Sequence, residues 1–89
     1  MDVFRWNAWN IEHIGEHGVL PEEAEEIVLA AVVPYPERVG DKKFRIRGQT
    51  AAGRYLQVIY VMDPPRCIYV IHARDLTFNE RGQYRRRRK

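Results

Sequence analysis

His72 and Arg74 form the pair of residues in this sequence whose types and spacing best suit chemistry. The two lie one residue apart in the apolar run 67–74, so in an extended strand their side chains project to the same side. A histidine beside an arginine can move a proton while stabilising negative charge that develops on a phosphate. The alternative is that His72, in an otherwise apolar strand, is a hydrogen-bonded core residue.

Four further arginines are candidates for binding a phosphate-bearing substrate. Arg45 and Arg47 alternate with apolar residues in the segment 42–49, and Arg54 begins the next run. Guanidinium groups projecting from one face of a strand match phosphate oxygens in two-point contacts. We place Arg81 in the same substrate-binding set. The alternative is that these are charges of an edge strand, which protect a sheet from aggregation.

Other common chemistries have little support in the sequence. His13 and His17 are four residues apart and share a helical face, but no third metal ligand follows nearby. Cys67 opens an apolar strand, where a free cysteine usually packs as a small apolar residue. The chain has no serine and no glycine-rich phosphate loop. We therefore expect neither a metal nor another cofactor.

Charge is divided unequally along the chain. Residues 1–37 hold one base and eight acids, a net charge of −7, whereas residues 38–89 hold fourteen bases and four acids, a net charge of +10. The last five residues, 85–89, are all cations. Such a division predicts a basic surface that meets a polyanion such as RNA or DNA, with the terminal run adding attraction that is independent of sequence.

Length and composition indicate one small globular domain spanning residues 1–89, with a basic tail at 85–89. The 89 residues are 45% hydrophobic and 30% charged, which is typical of a folded chain. The longest uncharged apolar run, residues 27–33, is far shorter than the roughly 20 residues of a membrane span. With one cysteine and no apolar leader segment, the cytoplasm is the expected location.

Periodicity and turn residues predict an α+β domain with the element order β-α-α-β-β-β-α. The predicted strands cover residues 2–6, 42–49, 54–62 and 67–74, and the predicted helices cover 8–16, 21–31 and 77–84. We expect a three- or four-stranded antiparallel sheet with the first two helices packed on one face. The predicted core residues are Ile27, Val28, Phe44, Ile46, Leu56, Val58 and Ile68.

Several short motifs in order resemble the BrnT family of toxins from bacterial type II toxin–antitoxin modules. They are Phe4-x-Trp6, His17-Gly18-Val19 before an acidic helix, a glycine-flanked hairpin, Ile71-His72-Ala73-Arg74 and Glu80-x-x-x-Tyr84. The resemblance implies a RelE-like antiparallel sheet and metal-independent cleavage of mRNA, with a cognate antitoxin as the partner in a hetero-oligomer. Arg74 matches the arginine of the family's strand motif, and the resemblance implies a role for it in the site. His72, His13 and His17, which titrate near neutral pH, are then the candidate acids and bases.

The chain departs from the family pattern in its first helix. Asn7 follows Trp6 where family members usually carry aspartate, and His13 and Glu16 stand near positions of a family asparagine and a base. A second hypothesis is therefore a non-catalytic module that binds RNA or protein. A third is a purely structural interaction protein. In the toxin hypothesis, we expect an acidic element of the antitoxin to cover Arg45, Arg47, Arg54 and Arg74.

Overall fold

The computed structural model describes residues 3–87, which form five strands and three helices. The strands are β1 (Val3–Phe4), β2 (Glu37–Gly40), β3 (Lys43–Gln49), β4 (Tyr55–Asp63) and β5 (Cys67–Asp75). The helices are α1 (Ala8–Gly15), α2 (Pro21–Leu29) and α3 (Phe78–Arg87). Asp2 of the first predicted strand, and Arg88 and Lys89 of the predicted tail, lie outside the described residues.

The sheet has the strand order β1-β5-β4-β3-β2 and is mixed. The expected antiparallel pairings of β3 with β4 and of β4 with β5 are confirmed. The expectation of a wholly antiparallel sheet is wrong, because β1 pairs with β5 in parallel. A two-residue strand carries too little pattern for its partner to be read from sequence.

A fifth strand was missing from the predicted order. β2 follows Pro36 and pairs with the start of β3, so the order is β-α-α-β-β-β-β-α. The prolines at 34 and 36 indicated a loop or edge segment, and β2 is the edge strand that follows them. Its four residues leave Arg38 and Val39 exposed, so no buried face marks it in the sequence.

Local signals locate the helix ends well. Pro21 occupies the first turn of α2, where proline is tolerated, and Gly18 adopts a left-handed φ of 70° after α1. Thr77 and Glu80 form the predicted reciprocal capping bonds before α3, with Glu80 accepting from the Thr77 backbone and the Thr77 hydroxyl accepting from Glu80. Asn7 and Asn10 make an equivalent box at the start of α1.

The core lies between the sheet and the first two helices. Ile14 of α1 and Ile27 of α2 are fully buried in one cluster with the cross-strand pair Ile46 and Val58. Predicted core residues Leu56 and Ile68 are buried in it as well, while Val28 and Phe44 are half-buried against it.

α3 covers the opposite face of the sheet, which the sequence did not indicate. A side chain at Gly48 would lie 3.3 Å from Ile27 of α2, so even-numbered residues of β3 face that helix. Arg47 therefore points to the other face, where it binds Glu80 and Gln83 of α3. No described helix is long and apolar enough to cross a membrane.

Shortening Ile46 to alanine tests the assignment of the two faces of β3. Because Ile46 is only 1% exposed, Ile46→Ala should lower the free energy of unfolding by about 2–5 kcal/mol. Urea denaturation followed by circular dichroism measures the change. Val39→Ala, on the exposed edge strand, is the matched control and should change stability by less than about 1 kcal/mol. Equal losses for the two variants would contradict the assignment.

Candidate functional site

A β-bulge in β5 determines where His72 and Arg74 point. Ile59 pairs with His72 and Tyr60 pairs with Val70, so Ile71 is an extra residue in the ladder. Before the bulge the even-numbered Val70 is fully buried, and after it the odd-numbered Ala73 is fully buried. The bulge therefore moves His72 and Arg74 off the core side, which is a common role of bulges near functional sites. Strict alternation would have placed both in the core.

The three histidines of the chain lie together. The ring centroid of His72 is 5.4 Å from that of His17 and 6.3 Å from that of His13, both in edge-to-face orientation. His13 lies in α1 and His17 in the turn after it, so the packing of α1 against β5 brings them to His72. The sequence predicted all three residues as candidates, and the structure places them in one cluster, which we call the histidine cluster.

An aromatic stack holds one side of this cluster. Trp9 stacks on His13 with ring centroids 4.9 Å apart and planes within 9°. Tyr69 of β5 is stacked 6.2 Å from Trp9, and the Arg5 guanidinium lies 4.4 Å above the Tyr69 ring. The i, i+4 spacing of Trp9 and His13 was a signal of this contact that the sequence reading did not use.

The surroundings of His72 favour its neutral form. Partial burial lowers the pKa of His72 below its ordinary value of 6.5, and the nearby His17, Arg74 and His13 lower it further. His17 is exposed and His13 is half-buried. The cluster therefore joins an imidazole that favours its neutral form, which can accept a proton, to two further imidazoles.

Arg74 and Arg47 share the carboxylate of Glu80. Arg74 donates two hydrogen bonds to Glu80, at 2.7 and 2.9 Å, and Arg47 donates one at 3.3 Å. Arg47 also donates to Gln57 and Gln83, and it is only 8% exposed. Arg47, which we predict from the sequence to bind phosphate, is therefore buried and attaches α3 to the sheet.

Arg54 supports the backbone beside the histidine cluster. Its guanidinium binds Glu23 and Asp75 at 2.9 Å, and it donates to the backbone oxygens of Gly18 and His17. Two carboxylates thus neutralise the charge that the sequence analysis assigned to a substrate phosphate. Arg54 instead positions the turn that carries His17.

The remaining predicted arginines lie apart from these networks. Arg45 binds Glu37 at 3.0 Å, and the same carboxylate binds Arg87 at 2.8 Å. Arg81 is exposed on α3, with its guanidinium 4.6 Å from the centre of the Tyr55 ring. The expected open basic face of β3, β4 and β5 is therefore covered by α3 and by carboxylates of the chain itself.

Sequence reasoning missed the acidic partners of this site. Glu80 was identified as a capping residue, but nothing in its neighbourhood showed that it also binds arginines from two strands. Across residues 3–87, no group of three or more histidine, cysteine, aspartate or glutamate side chains has the arrangement of a metal site. Neither the protein-family models nor the curated proteins compared with this chain give a match.

Replacing Glu80 tests its role as the residue that joins α3 to the sheet. Arg74 hydrogen bonding, the Thr77 cap and the charge of Arg47 lower the pKa of Glu80 from 4.5 to about 2. The ionised form thus stabilises the fold above pH 4.5, and this contribution is lost as the pH falls through about 2. Glu80→Gln should lower the free energy of unfolding by about 2 kcal/mol at pH 7.

Denaturation of both proteins between pH 7 and pH 2 measures this effect. The difference in stability between the parent and Glu80→Gln should shrink as the pH falls below 4.5. Glu12→Gln, on an exposed position of α1, is the control and should track the parent at every pH. A stability difference between the two proteins that stayed constant with pH would show that the charge of Glu80 does not stabilise the fold.

Proposed function

We propose that this protein is a metal-independent endoribonuclease and the toxin component of a type II toxin–antitoxin module, acting on mRNA in the cytoplasm. The observation that carries the proposal is the histidine cluster, in which side chains of α1, the following turn and β5 converge beside Arg74. RNA cleavage needs a base, an acid and positive charge. The histidine cluster and Arg74 together can supply all three.

In the proposed reaction His72 is the base and one of the other two histidines is the acid. Neutral His72 accepts the proton of a ribose 2′-hydroxyl, and the 2′-oxygen attacks the adjacent phosphorus. The bond from phosphorus to the 5′-oxygen then breaks, and His17 or His13 donates a proton to that leaving oxygen. The products are a 2′,3′-cyclic phosphate and a 5′-hydroxyl end. Each imidazole ends in the opposite protonation state and exchanges its proton with water.

Arg74 contributes charge in this scheme. Its hydrogen bonds to Glu80 raise the pKa of its guanidinium, so it stays ionised throughout. Two of its bonds go to Glu80 and one to the backbone oxygen of Asp75, and its side chain is 29% exposed. Arg74 therefore stabilises the phosphate mainly through the electric field of its charge, from the edge of the site.

The second candidate function is a module that binds RNA without cleaving it. It is favoured over the nuclease by one observation: Glu80, Glu23 and Asp75 bind the guanidinium groups of Arg47, Arg74 and Arg54, so these groups are less available to stabilise the charge of a cleavage transition state. A phosphate would have to compete with these carboxylates for a two-point contact. The module would show binding that weakens with salt and no cleavage products.

The cognate antitoxin is part of the first proposal. Since Arg45, Arg47, Arg54 and Arg74 each bind a carboxylate of this chain, an acidic antitoxin segment would have to displace one of them to bind there. Covering the histidine cluster, where Trp9 is 54% exposed, would block cleavage without that displacement.

His72→Gln tests the nuclease with purified protein and end-labelled RNA. Loss of the proton acceptor should lower the cleavage rate by about a hundredfold or more. In the parent, the rate should rise with pH along a limb that lies below pH 6.5, because His72 must be neutral and its pKa is lowered. Chelation of metal ions should leave the rate unchanged.

Arg38→Gln, at an exposed position of β2, is the control and should cleave as the parent does. Equal cleavage by the parent and His72→Gln would overturn the assignment of the base. Binding without any cyclic phosphate product from the parent would favour the second candidate function.

Expression in a bacterial host tests the toxin role. The parent chain should slow growth when its synthesis is induced, and His72→Gln at the same protein level should restore growth. Growth rate and intact mRNA are measured together, because a toxin that acts by cleavage must change both. Normal growth with abundant folded parent protein would count against a toxin.

A further inference from the structure

The outer side of α3 presents one aromatic ring and two guanidinium groups to solvent. Phe78 is 82% exposed, and Arg85 and Arg86 are exposed near the other end of the helix. A shallow groove runs between them, which we call the α3 groove. It is lined by Phe78, Asn79, Gly82, Gln83, Arg85 and Arg86.

The cations of the α3 groove differ from those of the sheet in their partners. Arg45, Arg47 and Arg74 each bind a carboxylate, whereas within residues 3–87 no carboxylate forms an ion pair with Arg85 or Arg86. Arg85 has only a distant aromatic contact, 5.9 Å from the centre of the Tyr55 ring. The positive charge that remains available to a polyanion is therefore concentrated on α3.

Gly82 makes the middle of this groove shallow. It lies four residues after Phe78 and four before Arg86, so all three share one side of the helix. A Cβ at Gly82 would lie 3.4 Å from the Arg86 guanidinium, so a side chain there would occupy the space beside that group. The missing side chain thus leaves a flat floor between the ring and the cations, where a ligand backbone can approach closely.

We propose that the α3 groove binds single-stranded RNA, with a base stacked on Phe78 and phosphates on Arg85 and Arg86. The backbone positions of Phe78 and of the two arginines are separated by a rise of roughly 11 Å along the helix, so the ring and the cations can contact different parts of one chain. A positive groove with an aromatic side chain is the usual arrangement for binding single strands. This inference rests on the proposed function and names where its substrate docks.

The surroundings of Phe78 favour RNA over a protein partner. Protein interfaces gain most from aromatic residues enclosed by other apolar contacts, whereas Phe78 stands among amide and guanidinium groups. α3 is also joined to the strand that carries His72, because Glu80, two residues after Phe78, binds Arg74 of β5.

The test measures binding of a short fluorescent 2′-O-methyl RNA, which cannot be cleaved through its 2′-oxygen. Arg85→Gln/Arg86→Gln should weaken binding and reduce the slope of log affinity against log salt by about 1.4, since each phosphate contact on a single strand contributes about 0.7. Arg38→Gln/Lys43→Gln removes two exposed cations elsewhere and should leave the slope unchanged.

Phe78→Leu separates base stacking from charge. It should weaken binding roughly tenfold, with the salt slope unchanged, and should not weaken binding of a ribose-phosphate chain that lacks bases. Leu29→Ala is the control for loss of an exposed apolar side chain, since Leu29 is 76% exposed on α2. All variants should melt at the parent temperature, because each altered residue is exposed.

Three results would overturn the proposal. Unchanged RNA affinity in Arg85→Gln/Arg86→Gln would show that these arginines do not bind phosphates. If Phe78→Leu weakened the binding of normal and base-free chains equally, no base would stack on Phe78. Binding of polyglutamate that is as sensitive to Phe78→Leu as RNA binding would assign the groove to an acidic protein segment. Because the RNA is uncleavable, these results do not depend on His72, so a failed nuclease assay and a failed docking surface are distinguishable.

Discussion

The bridge from Glu80 to Arg47 and Arg74 is the interaction on which the arrangement of this protein depends. One carboxylate caps α3 through Thr77 and binds guanidinium groups from both β3 and β5. Arg47 is only 8% exposed, so its charge requires a partner at close range. Without Glu80, α3 would keep the bond from Arg47 to Gln83 and the buried ring of Tyr84, but the charges of Arg47 and Arg74 would lose the carboxylate they share. The position of α3 relative to the two arginines therefore depends on this residue.

Ion pairs within the chain neutralise part of the unequal charge of its two halves. The first half of the chain is acidic and the second half is basic. In the folded protein, Glu23 binds Arg54 and Glu37 binds Arg45. Much of the positive charge of the sheet is thereby neutralised within the chain. Arg85 and Arg86 of α3 are exposed, and within residues 3–87 neither forms an ion pair with a carboxylate. The exposed cations of α3 and the histidine cluster are therefore the two features on which the proposals of RNA binding and RNA cleavage rest.

The histidine cluster depends on the irregularity of β5. Ile71 is an extra residue in the ladder, and the shift it causes leaves the side chain of His72 outside the core, close to the rings of His13 and His17. Trp9 then stacks on His13 and limits the directions in which that ring can point. Partial burial favours neutral His72, while exposure leaves His17 in contact with water. Different surroundings for neighbouring imidazoles are what acid–base chemistry needs from a group of identical side chains.

Local patterns in the sequence determined the class of fold, most of the helix ends and part of the core. Pro21, Gly18 and the pair Thr77 and Glu80 act within a few residues of their own positions, so their effects are readable from sequence alone. The apolar alternation around Ile46 identified a buried face in the same way. The three histidines and Arg74 were also identifiable by residue type. Only the tertiary structure decided that β1 runs parallel to β5, that His72 leaves the core, and that Arg47 and Arg54 bind carboxylates rather than face an open surface. These outcomes join residues far apart in the chain. They follow from strand register and from the desolvation of charge on packing, which exist only once the chain has folded.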